Sequence, residues 1–208
     1  MRWTVLAALS LLALPGCHAK FKRAAPAIGA VEVQVLTHGG PSVSLGRVNT
    51  GDGLVDAVVN ITQVVGESHT ADRLAAAVDM ERTNAALEQG LADTLATGHP
   101  FPVSDSGDAT LQLEVVDYGL ETYALGAPAS FDYDIRVRIY DGTERVYSAR
   151  TRCDTAAGAP PPLASAIGVV NNRRQVERME DAEIQAAFDA VAEWCGQQVV
   201  RKMRKHAG

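Results

Sequence analysis

Three segments in the second half of the chain alternate apolar and polar residues with a period of two. They cover residues 111–115, 131–139 and 147–153. Because successive side chains on a strand point to opposite faces, each segment gives one apolar row and one polar row. Turn residues at 105–108 and at Asp141-Gly142 separate the segments. The pattern therefore predicts a largely antiparallel sheet with one buried face.

Charged residues of opposite sign form the polar rows of the last two segments. A loop of residues 141–143 would place Asp134 opposite Arg150 and Asp132 opposite Arg152. Opposite charges facing each other across a sheet contribute roughly 0.2–1 kcal/mol per pair. We therefore expect a solvated ionic sheet face. A metal site at Asp132 and Asp134 is not expected, because the sequence offers no third ligand.

Helical segments and an earlier strand complete the fold prediction. Residues 31–35 alternate with their valines inward. Residues 71–97 are helical with a break or kink somewhere in the region, since Glu81, Asn84 and Glu88 fall close to the apolar stripe and Gly90 also weakens it. The last helix, from Asp181, has a clean apolar stripe. This order predicts an α+β fold: a two-layer sandwich of a largely antiparallel sheet of about four strands with two main helices on one face.

The start of the chain has the layout of a secretory signal peptide. Arg2 gives a basic start, and residues 5–14 form an uncharged apolar run. This run is too short to cross the ~30 Å hydrocarbon core of a bilayer, which needs about 20 residues. The segment therefore predicts export across a membrane.

The end of this segment, Leu14-Pro15-Gly16-Cys17, resembles the lipobox of bacterial lipoproteins, which has Leu at −3, a small residue at −1 and Cys at +1. The resemblance implies removal of residues 1–16 and a Cys17 that carries a diacylglycerol and an N-acyl chain such as palmitate. Three acyl chains would give stable anchoring, whereas one gives marginal binding. His18 in place of Asp implies the outer membrane in the enteric sorting pattern. An ordinary signal peptide with a coincidental cysteine is the alternative.

Composition limits the remaining possibilities. The whole chain carries a net charge of −6, so removal of Arg2 with the signal peptide leaves −7 on the 192 mature residues. This mild acidity argues against nucleic acid as a partner. Basic residues do cluster locally, at Lys20, Lys22 and Arg23 and at the end of the last helix, where cations suit the helix dipole. We expect a tether at 17–30 and a single periplasmic α+β domain at 31–208.

Two cysteines remain once Cys17 is assigned to the lipid. Cys153 lies in the apolar row of the last strand and Cys195 in the apolar stripe of the last helix. If that helix packs on that sheet, both thiols point into the same layer. Because exported proteins encounter an oxidising compartment, we predict a disulfide between them. Two buried free thiols, behaving as small apolar groups, are the alternative.

Parts of the mature domain are similar to the group of periplasmic lipoproteins that includes the curli-secretion, penicillin-binding-protein-activator and TolB-N-terminal families. The similar stretches are residues 111–119, 133–142 with 145–148, and the closing amphipathic helix. The strand and helix order is also similar to that of the lipopolysaccharide-assembly lipoprotein. Residues 43–66 and the long connection at 154–180 do not follow the pattern.

No motif for nucleophilic catalysis, phosphate binding or dinucleotide binding is present, and the five histidines lack ligand spacing. We therefore expect no enzymatic activity, no cofactor and no metal. The first hypothesis is an outer-membrane lipoprotein that faces the periplasm and binds a protein partner in envelope assembly or maintenance through 43–66, the polar sheet face and 160–175. The alternative is a lipid or lipopolysaccharide transport accessory, which a deep apolar groove would favour. An enzyme would require a cleft that gathers distant carboxylates or histidines.

Overall fold

The computed structural model describes residues 17–44, 67–97, 100–122, 129–154 and 178–208. Some of the sequence-based predictions fall outside these ranges. They concern residues 1–16 and most of the segments 43–66 and 154–180. The described helices are α1 (Cys17–Ala24), α2 (residues 67–77), α3 (Met80–Ala96) and α4 (Asp181–Ala207), with a 3₁₀ turn at Ala25–Ala27. The strands are β1 (Val31–Thr37), β2 (Pro41–Ser44), β3 (Ala109–Thr122), β4 (Ala129–Asp141) and β5 (Glu144–Asp154).

The sheet is five-stranded and mixed. Strands β3, β4 and β5 form the predicted antiparallel meander. Strand β1 pairs in parallel with the first half of β3, and β2 pairs in parallel with residues 118–121 of the same strand. The predicted α+β class is therefore confirmed, and the sheet has one more strand than the sequence indicated.

The core lies between the apolar face of this sheet and helices α3 and α4. Aromatic rings pack together in this core. The ring centroid of Phe188 in α4 lies 5.1 Å from that of Phe131 in β4 and 5.7 Å from that of Tyr118 in β3. Edge-to-face contacts of this kind add about 0.5–1.5 kcal/mol beyond area burial. The predicted stripe of α4 is buried throughout: Ile184, Ala187, Phe188, Val191, Cys195 and Val199.

Two glycines set the distance between α3 and α4. A Cβ atom on Gly90 would lie 2.0 Å from the carbonyl oxygen of Glu193, and one on Gly196 would lie 2.4 Å from that of Leu87. No side chain fits at either position unless the helices move apart. Gly90 therefore serves the helix crossing, and the expected break in the helical region lies elsewhere.

That break lies at residues 78–79, between α2 and α3. The Asp79 side chain caps α3 by accepting hydrogen bonds from the backbone N–H groups of Glu81 and Arg82. The buried Gln185 of α4 accepts from the Asp79 N–H and donates to the Thr83 hydroxyl at 3.0 Å. A side chain of α4 thus supplies a hydrogen-bond partner for a backbone N–H group at the break between α2 and α3.

The segment expected to be a tether is ordered and packed on the domain. Residues 17–24 form α1, and Phe21 is fully buried. Its ring lies 4.3 Å from that of Tyr147 on β5 and 6.4 Å from that of Phe101. The structure therefore differs from the predicted tether. Phe21 is a single aromatic residue in a polar stretch, so it gives no periodic pattern, although it buries a large apolar surface.

Candidate binding surface on the outer face of the sheet

The polar rows of β3, β4 and β5 lie together on the outer face of the sheet, which points away from α3 and α4. The register of the last hairpin differs from the prediction: Asp134 is directly opposite Arg152, and Arg136 is opposite Arg150. Its turn has two residues, Gly142 and Thr143, and the register shifts between Ile139 and Tyr140. Gly142 takes a φ of 57°, which favours glycine in such a turn. The turn is one residue shorter than predicted, and the irregularity adds a further shift of one, so the predicted register was displaced by two residues.

The predicted ion pairs nevertheless form, along the diagonals of the sheet. Arg150 binds both carboxylate oxygens of Asp134, with Nε donating at 2.8 Å to Oδ1 and Nη2 at 2.5 Å to Oδ2. Arg152 donates to Asp132 at 2.9 Å and also contacts Glu121 of β3. Long arginine side chains reach diagonal neighbours easily, so a register error of two residues did not change the partners.

A second ionic group lies farther along the same face. Glu114 of β3 accepts from Arg138 at 2.7 Å and from Arg136 at 3.2 Å. Arg138 also donates to the Gln112 amide oxygen at 3.1 Å. The two guanidinium groups therefore share one carboxylate, which leaves this end of the face with an excess of positive charge.

The carboxylates of this surface lie beneath the arginines. The side chains of Asp132 and Asp134 are 7% and 9% exposed, whereas those of Arg152 and Arg150 are 47% and 61% exposed. The strand backbone carries the short aspartates, and the longer arginines extend over them toward solvent. An approaching molecule consequently meets guanidinium groups first. We call the residues of this face the arginine surface: Gln112, Glu114, Asp117, Glu121, Asp132, Asp134, Arg136, Arg138, Ser148, Arg150, Arg152 and Asp154.

Like charges are also opposite each other on this surface. The register places Asp117 opposite Asp134, and Asp132 opposite Asp154. Burial raises the pKa of Asp132 to about 6; Arg152 opposes this rise, and Glu121 and Asp117 add to it. The position of Asp117 was missed because an irregularity between Val115 and Asp117 moves it to the outer face. Two adjacent valines conceal that shift in the alternation.

Cys153 and Cys195 lie at disulfide distance. Their sulfur atoms are 1.97 Å apart and their Cα atoms 5.5 Å apart, and both residues are buried. The pair connects β5 to α4 across a sequence separation of 42. Cys153 is two residues beyond Thr151, which faces the core, so the strand alternation aims its side chain toward α4. The sequence located both positions from their periodicity alone.

Cys17 is the first residue of α1, so the proposed lipid attachment point lies at the start of a packed helix. Near the other end of α1 lies a mainly apolar cavity of about 640 Å³. Arg204 contributes the charged group of its lining, together with Ala25, Pro26, Ile28, Pro100, Ala207 and Gly208. In the described ranges, no helix is long and apolar enough to cross a membrane.

Four carboxylates of the arginine surface, those of Glu114, Glu121, Asp132 and Asp134, form ion pairs with arginines. Among the described residues, no group of three or more His, Cys, Asp or Glu side chains is arranged to hold a metal ion. Asp132 and Asp134, at which a metal site was not expected, accept hydrogen bonds from Arg152 and Arg150 respectively. The chemistry available on this surface is therefore charge-assisted hydrogen bonding through guanidinium groups.

No protein-family model and no curated protein matches this chain. Among solved structures, the chain is similar to a hypothetical protein from Chlamydia trachomatis, at 13% sequence identity. That match covers 86% of this chain and 97% of the other, with a TM-score of 0.33. A likeness of this size supports no inference about fold, activity or partner.

Proposed function

We propose that this protein is an outer-membrane lipoprotein, anchored through Cys17 and facing the periplasm, that binds a protein partner through the arginine surface and has no enzymatic activity. The partner would act in envelope assembly or maintenance. The observation that carries the binding proposal is the exposure of Arg150 and Arg152 above buried carboxylates. Arginine is favoured at protein interfaces because its planar group binds carboxylates with two hydrogen bonds. We therefore expect the partner to contact the exposed guanidinium groups of Arg150 and Arg152.

The ionic contacts also prepare the surface for binding. Arg150 is held by two hydrogen bonds to Asp134, so a partner need not order a free side chain. Ordering a long side chain at an interface otherwise costs about 0.5–1.5 kcal/mol. This preorganisation favours binding over a purely solvated role for the surface.

A photo-crosslinking experiment in the native cell tests the binding proposal. A photoreactive residue at Ser148, on the arginine surface, should give a defined crosslinked product, and one at the exposed Gln89 of α3 should not. The charge-reversed variant Arg150→Glu should lose the Ser148 product. Equal products from Ser148 and Gln89, or a product that survives the reversal, would exclude this surface as the binding site.

The anchor is tested separately by the mass of the N-terminal peptide. A mature chain that begins at Cys17 with three acyl chains supports the lipoprotein assignment, whereas an unmodified Cys17 excludes it. Cys17→Ser should abolish labelling with palmitate and release the protein from the membrane fraction. Continued membrane association of that variant would contradict the anchor.

The cavity near Arg204 favours a second candidate function, the handling of lipid or lipopolysaccharide. Its apolar lining suits an acyl chain, and Arg204 supplies a cation at its wall. This cavity does not lie between the helices and the sheet. Leu91, Tyr133 and Phe188 are fully buried in that layer. A spin-labelled fatty acid that is immobilised by the protein, and released by Ile28→Trp, would support this candidate.

A further inference from the structure

All four lysines of the chain lie near its two mature ends. Lys20 and Lys22 are in α1, and Lys202 and Lys205 are in the last two turns of α4. With Arg23, Arg201 and Arg204 they make seven cations, and residues 17–31 and 194–208 contain no Asp or Glu.

The rest of the mature chain is strongly acidic. Residues 32–193 contain 11 Lys and Arg against all 25 Asp and Glu of the sequence, a balance of −14. A chain that is acidic overall thus has a separate basic part. Interaction of the C-terminal cations with the dipole of α4 accounts for their favourable placement, but it does not account for basic residues at both ends of the chain.

The fold brings the two basic segments together. Lys22 donates from Nζ to the main-chain oxygen of Gly208 at 3.3 Å, which joins α1 to the end of α4. The Tyr147 hydroxyl lies 2.9 Å from Nδ1 of His206, and its ring packs on Phe21. Lys20 donates to the main-chain oxygen of Arg145 at 2.9 Å, so the hairpin adjoins the same region. We call this surface the basic face: Lys20, Lys22, Arg23, Arg201 and Lys205, with Arg145 of the adjoining hairpin. Lys202 and Arg204 instead donate to the main-chain oxygens of Arg150 and Thr94.

Several cations of the basic face are available to solvent. Lys22, Arg23, Arg201 and Lys205 are exposed, and so is Arg145. Lys20 pairs with the Glu144 carboxylate of the hairpin at 2.6 Å. The exposed charge of the basic face is consequently positive.

We propose that the basic face lies against the anionic phospholipid headgroups of the membrane that holds the anchor; the inference rests on the proposed lipidation of Cys17. Lys22 is five residues after Cys17, which is about 7.5 Å along a helix axis. Because α1 is packed on the domain through Phe21, the anchor holds the basic face close to the bilayer. Lys and Arg near an anionic surface strengthen membrane binding, so the face adds a second membrane signal to the acyl chains.

Lysine acetylation of the acylated mature protein, reconstituted in vesicles, tests this orientation. Lys22 and Lys205 should react with a water-soluble acylating reagent at least fivefold more slowly on phosphatidylglycerol-containing vesicles than on phosphatidylcholine vesicles. Raising NaCl to 0.5 M should remove most of the difference, since salt screens charges over a few ångströms. Equal rates on the two kinds of vesicle would overturn the proposal.

Paired variants give the matched control, because they leave the reporter lysines in place. Arg23→Gln with Arg201→Gln should reduce the protection of Lys22 and Lys205, whereas Arg82→Gln with Arg178→Gln should not. The N-terminal peptide mass distinguishes the two possible failures. An acylated Cys17 with unprotected lysines refutes the orientation and leaves the anchor intact, whereas an unmodified Cys17 refutes the anchor itself.

Discussion

Reduction of the Cys153–Cys195 pair should destabilise the domain by about 4 kcal/mol. The pair closes a loop with a sequence separation of 42. In the chain-entropy relation, a loop of this length lowers the entropy of the unfolded chain by about 13 cal/mol/K, or about 4 kcal/mol at 25 °C. For a mature chain of this size, that loss corresponds to a fall in Tm of roughly 8–16 °C.

Urea unfolding with and without a phosphine reductant measures this difference. Trp194, adjacent to Cys195, is the only tryptophan left after removal of residues 1–16, so its fluorescence reports on α4. Reduced thiols keep nearly the packing of the linked pair, which isolates the effect of the covalent bond. Cys153→Ala with Cys195→Ala should lose slightly more, because it also removes two buried sulfur atoms. Coincident unfolding curves for the oxidised and reduced proteins would refute the reasoning.

Three further substitutions test the packing and the charges described above. Gly90→Ala should destabilise by about 1–3 kcal/mol through overpacking against Glu193, more than the roughly 1 kcal/mol gained in helix propensity, while Gln89→Ala should change the unfolding free energy little. Phe21→Ala should cost about 3–5 kcal/mol in urea unfolding if α1 packs as described, and a loss near zero would restore the tether interpretation. Because the pKa of Asp132 is about 6 when folded and 3.8 ordinarily, the folded state holds this proton more tightly. The unfolding free energy of the wild type relative to Asp132→Asn should therefore fall as pH rises from 4 to 7, and a constant difference would contradict the buried, raised carboxyl.

The sequence predicted the antiparallel meander and α4 because each has one buried face. Strict alternation along β4, and the apolar stripe of α4, follow directly from that geometry. The same two periodicities placed Cys153 and Cys195 in one layer. The local sequence pattern was sufficient to predict those elements in which one face is buried and the other is exposed to solvent.

The strand at β1 was predicted, but the parallel pairing of β1 and β2 with β3 and the packing of the N-terminal segment could not be predicted in this way. Strands β1 and β2 are short, and their choice of β3 as a partner is decided by contacts distant in sequence. Phe21 shows the same limit, since its burial depends on Tyr147 and Phe101, which only the complete fold brings near. The outer carboxylates Asp117 and Glu121 were missed because the register irregularity on β3 changes which residues share a face.

The position of the disulfide also bears on proteolysis. Cys153 is the second-last residue of β5 and Cys195 lies within α4, so the bond spans the whole connection between these two elements. A protease that cut the chain anywhere between residues 154 and 180 would leave both fragments covalently joined. The nicked protein would migrate as one species on a non-reducing gel and as two after reduction. The fragment that contains α1 and the fragment that contains α4 would therefore remain parts of one molecule.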